Sequence, residues 1–388
     1  NGHIISLKDK GVARILYPMG VYERKEFPGA LNSFNCPIVT GYPDVIKSAI
    51  SPEKKFKIPF DTPSVNLDDI SLLKKACWRY LSGLGVVDRS VFERAFMDAL
   101  SEQDRYSKTL VDETQKVVER AKKEKRLVVL LLSRPYHVDP LINHNVPEII
   151  SSYGVDVITE DSLPLNGSHD LKDIQVLTQW EYPNRIFGAA KWARDMDNLE
   201  VVQLNSFGCG PDAIICDEAR SVLAEKGKRY TLIRIDEVAS PGSVKLRLRS
   251  MLESIEQREG DGRIKSIQRK TTPPFTSEHR SRRILVPFFS EFYSPLIERT
   301  FAGEGYIVET LPPADRESVE TGLKYVNNEI CYPAMIVIGD IIKALKTGKY
   351  DTDELSVGIT QTGGQCRASS YMSLLKKALV SSGFEDIP

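Results

Sequence analysis

Histidine is scarce in this chain, with five scattered residues in 388, which argues against a histidine-based zinc site. No Cys-x-x-Cys pair occurs, so neither a zinc ribbon nor a thioredoxin-type site is supported, and the cysteine run of a bacterial ferredoxin is missing too. Also lacking are a phosphate-binding Gly-x-x-x-x-Gly-Lys-Ser/Thr, a Gly-x-Gly-x-x-Gly after a strand and a His-Glu-x-x-His. Charge of one sign is absent: 52 basic against 53 acidic residues leave a net charge of −1, and nothing in that balance calls for nucleic acid or an anionic membrane. Long apolar runs are missing as well. The longest, Leu127–Leu132, has the length of a buried strand and falls far short of the ~18 residues that span a bilayer. Six cysteines in 388 residues are too sparse for a disulfide framework and no secretory signal precedes them, so a reducing cytoplasm is the expected compartment. The chain opens on Asn1-Gly-His without an initiator Met and stops at Phe384-Glu-Asp-Ile-Pro388, where a strand would follow a helix, so it reads as an excised piece of a longer polypeptide.

What is present is a chain with 41% hydrophobic residues, enough for sizeable cores and too long for one compact unit. Its organising stretch runs from Gly322 to Tyr371. Cys331 lies in Glu-Ile-Cys-Tyr-Pro and Cys366 follows Thr-Gly-Gly-Gln. Between them, Met335, Ile338, Ile341, Ile342 and Leu345 recur at helical spacing, and 355–360 reads as a short buried strand. The order cysteine, helix, strand, cysteine brings two thiols toward one edge of an open α/β sheet, where ligands collect. A metal or iron–sulfur site is one reading. Packed core cysteines are the other.

The chain in order predicts an α/β protein of several Rossmann-like, parallel-sheet lobes with a partial internal repeat. Residues 1–60 read as a truncated α/β lobe, with a helix tail at Gly2–Leu7, strands at Val12–Tyr17 and Ile38–Thr40, and Cys36 in a loop. Gly2-His-Ile-Ile-Ser-Leu-Lys resembles Gly339-Asp-Ile-Ile-Lys-Ala-Leu-Lys, which makes this lobe the first copy of a repeat whose second copy is 283–388. Residues 61–125 read as a helical connector, 126–258 as a central α/β domain and 259–282 as a linker containing Pro273-Pro274. Cys77 and Cys216 fall within helical patterns and are assigned to core.

Two loops of the central domain carry chemistry. Past the predicted strand Leu127–Leu132, Arg134, Tyr136, His137 and Asp139 stand before a helix. An arginine there suits a carboxylate or phosphate, so Arg134 and His137 form a candidate anion or substrate loop. After the strand that begins at Leu199, Cys209 sits between Gly208 and Gly210. The glycines leave room for something bulky near the backbone, and a thiol at a helix N-terminus is easily deprotonated. No residue reads as catalytic.

Arg134-Pro-Tyr-His-Val-Asp-Pro, Gln203-Leu-Asn-Ser-Phe-Gly-Cys-Gly-Pro-Asp-Ala, Asn328-Glu-Ile-Cys-Tyr-Pro-Ala and Thr360-Gln-Thr-Gly-Gly-Gln-Cys-Arg-Ala-Ser, in this order, resemble the acyl-CoA dehydratase activase-related proteins. These are similar to the iron–sulfur subunits of 2-hydroxyacyl-CoA dehydratases (2-hydroxyglutaryl-CoA dehydratase-like) and to double-cubane-cluster proteins. The resemblance implies an iron–sulfur cluster, [4Fe–4S] or double cubane, with Cys36, Cys209, Cys331 and Cys366 as ligands. It further implies electron transfer from an ATP-dependent activase to an acyl-CoA substrate. Met19 in Tyr17-Pro18-Met19 stands where such relatives often carry Cys. That leaves open a cluster-free scaffold or ligand-binding module that docks an activase or acyl-CoA enzyme.

Overall fold

The computed structural model describes residues 1–164, 170–236, 241–257 and 266–388, apart from the side chain of Glu256. It is an α/β protein, and among the described residues six strand pairings run in parallel. The chain divides into two compact units: unit 1 comprises 1–126, 158–172 and 178–189, and unit 2 comprises 127–157, 173–177 and 190–388.

Unit 1 begins with α1 (Gly2–Asp9), β1 (Ile15–Leu16), β2 (Met19–Tyr22) and α2 (Pro37–Ile50). Then come α3 (Pro52–Phe56), β3 (Phe60–Asp61), β4 (Ser64–Asn66), α4 (Ile70–Gly83) and α5 (Arg89–Lys123). Strand β1 pairs with β3, and β2 with β4, so the first lobe's sheets continue past residue 60, into the stretch expected to be a helical connector. Residues 38–40 are helical. Pro37 at the first helical position presets φ, and the β-branched Ile38 and Val39 that imitate a strand are accommodated on the first turn of α2. Ile4, Ile15 and Phe60 form the small core that locks α1 onto β1 and β3. Helices α4 and α5 start on the side chains of Asp69 and Asp88, each accepting two backbone N–H groups. Cys77 is half-buried on α4, where burial pushes its thiol pKa up.

Unit 2 opens with β5 (Val128–Leu132), buried along its whole length. It continues through a 3-10 turn (Pro135–Val138), α6 (Pro140–Asn143), α7 (Val146–Ser151) and β6 (Asp156–Thr159), whose last two residues are counted with unit 1. Helix α8 (Glu181–Arg194) also runs from one unit into the other. Then follow β7 (Leu199–Ser206), α9 (Gly210–Ala224), β8 (Tyr230–Ile235) and α10 (Pro241–Glu256). The sheet order is β6-β5-β7-β8. Val129, Leu131, Val202, Leu204 and Ile233 on the strands pack against Val146 and Ile150 of α7 and Leu248 of α10. This continuous apolar face explains why β5 and β7 read so clearly as strands.

The remainder of unit 2 is β9 (Arg283–Val286), α11 (Tyr293–Gly303), β10 (Ile307–Thr310), α12 (Arg316–Tyr325), α13 (Tyr332–Lys346), β11 (Leu355–Val357) and α14 (Tyr371–Ser382). The sheet order is β10-β9-β11, so the chain reverses its direction of travel across the sheet at β9. The expected linker at 259–282 lies partly outside the described residues. Its described part, 266–282, holds one 3-10 turn, Ser277–His279.

Candidate thiol site

All four cysteines expected as ligands occupy the same backbone position. Cys36, Cys209 and Cys331 are the N-cap residues of α2, α9 and α13, and Cys366 caps the short 3-10 turn Arg367–Ser370 that leads into α14. Each has extended ψ, between 102 and 152°. Three are followed by a proline in the first helical turn: Pro37, Pro211 and Pro333. Proline lacks only an N–H that the helix start would leave unpaired, and it fixes the turn that aims the cap. A side chain there sits beside the positive end of the helix dipole. The six cysteines are all thiols.

Three of the four loops meet within unit 2. Arg367, next to Cys366, donates from Nη1 to the carbonyl of Ile330, next to Cys331. The same guanidinium lies over Gly210, next to Cys209. A Cβ at Gly210 would run into Arg367 Nη1 and stand 2.7 Å from its Cζ and 2.6 Å from the Ile330 carbonyl oxygen. The bulky group for which the glycine leaves room is therefore this arginine side chain. Cys331 Sγ shares a hydrogen bond of 2.7 Å with the Tyr371 hydroxyl. The pKa of Tyr371 is raised, first by burial, then by Cys331, with Cys366 adding to the effect. The 361–370 loop is tied down by Gln361 Nε2 donating to the Ser369 carbonyl at 2.7 Å and by Ser369 Oγ donating to the Cys366 carbonyl.

Cys36 belongs to unit 1. Its backbone N–H is taken by Asn35 Oδ1 at 2.7 Å, while Asn35 Nδ2 donates to Glu23 Oε1 at 2.8 Å. The donor chemistry at Cys209, Cys331 and Cys366 suits a thiolate-bound group in kind. Among the described residues, however, no three His, Cys, Asp or Glu side chains stand as a set that would hold a metal ion.

The predicted anion loop is differently employed. Arg134 is buried, and its Nε and Nη2 meet Asp212 Oδ1 at 2.8 and 2.7 Å. Burial opposes the charge, but the Asp212 carboxylate outweighs it and the guanidinium pKa is raised. His137 is fully buried and its Nδ1 accepts the Arg134 backbone N–H at 3.1 Å. The proton is therefore on Nε2, which faces Ser206 Oγ at 3.0 Å. Burial, aided by Arg134, lowers the His137 pKa to about 4, so the ring is neutral and serves as a strut. Both side chains thus tie the loop after β5 to the end of β7 and the start of α9. Tyr136, Val138 and Asp139 of this loop reach solvent. Cys216 lies on the buried face of α9, where burial raises its thiol pKa to about 12, in keeping with a core residue.

Three participants were not singled out by sequence reasoning. Arg367 and Tyr371 lie within or beside the quoted cysteine motif, and only their spacing from Cys366 hints at a role. In unit 1, Glu181 is buried on α8. Its Oε1 accepts the Glu26 N–H at 2.9 Å, while Oε2 has no hydrogen-bond partner. Burial raises its pKa to about 7.

Residues 1–163 match the model of a family described as a CoA enzyme activase uncharacterised domain (DUF2229). The matched stretch contains Cys36 and ends before Cys209, Cys331 and Cys366. It relates this part of the chain to an activase-type CoA enzyme system. No curated protein and no solved structure matches the chain.

Proposed function

We propose that the chain is an iron–sulfur electron-transfer module of a CoA enzyme activase system, with Cys209, Cys331 and Cys366 as thiolate ligands and an ATP-dependent activase as partner. The observation that carries this reading is the meeting of three cysteine-capped helix starts around Arg367. A bound cluster of this kind supplies one-electron chemistry at low potential, tuned by hydrogen bonds to its sulfurs and by burial. In this chain the helix N-termini present their positive ends to Cys209 and Cys331, and the Tyr371 hydroxyl is aimed at one ligand sulfur. An acyl-CoA thioester is the proposed electron acceptor, and a reducing cytoplasm the proposed compartment. Cys36 is left out of this set because it caps a helix of the other compact unit.

A second reading is a cluster-free docking module for the same system, and the Cys331–Tyr371 hydrogen bond favours it by giving that sulfur a protein partner. Protein purified without oxygen separates the two. Stoichiometric iron and acid-labile sulfide, with a brown absorption that dithionite bleaches and that is lost when Cys331 is replaced by Ser, support the electron-transfer module. Folded protein that stays iron-free after reconstitution supports the docking module.

A further inference from the structure

We propose that Arg367 and Gly210 form a clasp that positions the three cysteine loops of unit 2, Arg367 being the positioning residue and Gly210 the seat that admits it. Each of the three loops contributes the neighbour of its cysteine to this contact. Cys366 precedes the arginine, Ile330 precedes Cys331 and supplies the carbonyl, and Gly210 follows Cys209 and supplies the open backbone. One side chain therefore fixes the relative position of three thiols that are 122 and 35 residues apart in sequence, taking Cys209 to Cys331 and Cys331 to Cys366.

Both halves of the clasp are specific in residue type. Gly210 is buried, and any side chain there meets both the guanidinium and the Ile330 carbonyl. Since the obstruction includes backbone, it cannot be relieved by a rotamer change alone. Guanidinium suits the other half because it is planar, permanently charged and able to donate in several directions from one place. It also leaves positive charge beside the thiols, so the group that gathers the loops is one that thiolates tolerate as a neighbour. Tyr371, one helical turn after Arg367, then presents its hydroxyl to Cys331, which adds a second tie between the same two loops.

The clasp stands whatever occupies the thiols; only its purpose rests on the function proposed above. The test is cross-linking of the full chain with dibromobimane, which bridges two nearby thiols and fluoresces when it does, with cross-linked peptides mapped by mass spectrometry. The wild-type chain is expected to give peptides joining Cys331 to Cys366 or Cys209. Arg367→Met and Gly210→Ala should each lower that yield by roughly tenfold, because small misplacements of a reacting pair are costly. Arg367→Lys, which can still reach the Ile330 carbonyl, should recover part of it. Circular dichroism and the melting temperature of each variant report folding separately, and Arg367→Lys remains readable if Arg367→Met does not fold. Wild-type yield in folded Arg367→Met or Gly210→Ala overturns the clasp, as does a wild-type chain with no such cross-link. Iron-free wild-type protein that cross-links normally leaves the clasp standing and removes the electron-transfer reading.

Discussion

Two segments of this protein run from a helix through strand to a cysteine that precedes a helix, yet their first helices are packed in opposite ways. In unit 1 the order is α1, β1, β2, Cys36 and α2. In unit 2 it is α13, β11, Cys366, a 3-10 turn and α14. Aligning Gly2 with Gly339 brings Ile4 and Ile5 onto Ile341 and Ile342, and Gly11 onto Gly348, two glycines whose φ values are +70 and +69°. Both glycines end their helices in the left-handed conformation that other residues resist. There the likeness stops. A Cβ on Gly2 would have nothing within 4 Å, whereas one on Gly339 would run into the Ser318 carbonyl and stand 2.5 Å from the Gly322 nitrogen. Gly322 is packed as tightly against the backbone of Met335, so α12 and α13 touch main chain to main chain. Ile5 is 46% exposed, and Ile342 is completely buried. The same short sequence is a surface helix in one setting and the centre of a helix pair in the other, because only the second meets a partner helix that carries its own glycine.

That difference can be tested directly. Gly339→Ala should cost about 3 kcal/mol or more, since a methyl group against a backbone cannot be absorbed by side-chain movement, while Gly2→Ala should stay within about 0.5 kcal/mol. Urea unfolding of the two variants measures both. Equal losses would mean that the two helices are packed alike. Next in size is Ile342→Ala, expected to lose about 2–4 kcal/mol, against less than about 1 kcal/mol for Ile5→Ala.

Two buried groups, His137 in unit 2 and Glu181 in unit 1, should contribute to stability with opposite dependence on pH. His137 in unit 2 is held at about 4 from an ordinary 6.5, by burial first, so the folded state binds fewer protons than the unfolded one between those values. The His137 contribution to stability therefore falls as pH drops through that window, by at most about 1.4 kcal/mol per pH unit. Glu181 in unit 1 is raised by burial from 4.5 to about 7, so its contribution to stability is present below pH 4.5 and is lost as pH rises toward 7. Hydrogen exchange read peptide by peptide across pH 4–8 resolves the two slopes. Glu181→Gln, which keeps the oxygen that accepts the Glu26 N–H, should flatten the slope of unit 1 and leave that of unit 2 unchanged. A unit 1 slope that Glu181→Gln leaves unchanged would contradict the raised pKa of this buried carboxyl.

The sequence made the strands of unit 2 easy to place, because β5, β7 and β8 are apolar runs bounded by turn residues. It also placed Cys209 and Cys331 in loops before a helix, since glycine and proline mark such starts by their backbone chemistry, but set Cys36 before a strand and Cys366 after one. Residues 38–40 misled, because Ile-Val-Thr has the composition of a strand and the helix-start signal of Pro37 was outweighed. The reading of Arg134 and His137 as an anion loop placed them correctly after β5 but could not foresee that Asp212, 78 residues later, supplies the carboxylate. Arg367 was hidden for the same reason. Its partners are a carbonyl and a missing side chain, neither of which leaves a letter in the sequence.

The measurement that bears most directly on the proposed site is iron and acid-labile sulfide per chain after anaerobic reconstitution, made on the parent protein and on Cys36→Ser, Cys209→Ser, Cys331→Ser and Cys366→Ser. A thiolate site confined to unit 2 predicts that Cys36→Ser keeps the full load while each of the other three loses most of it. An iron-free parent protein, or a loss in Cys36→Ser as large as in the others, would contradict it.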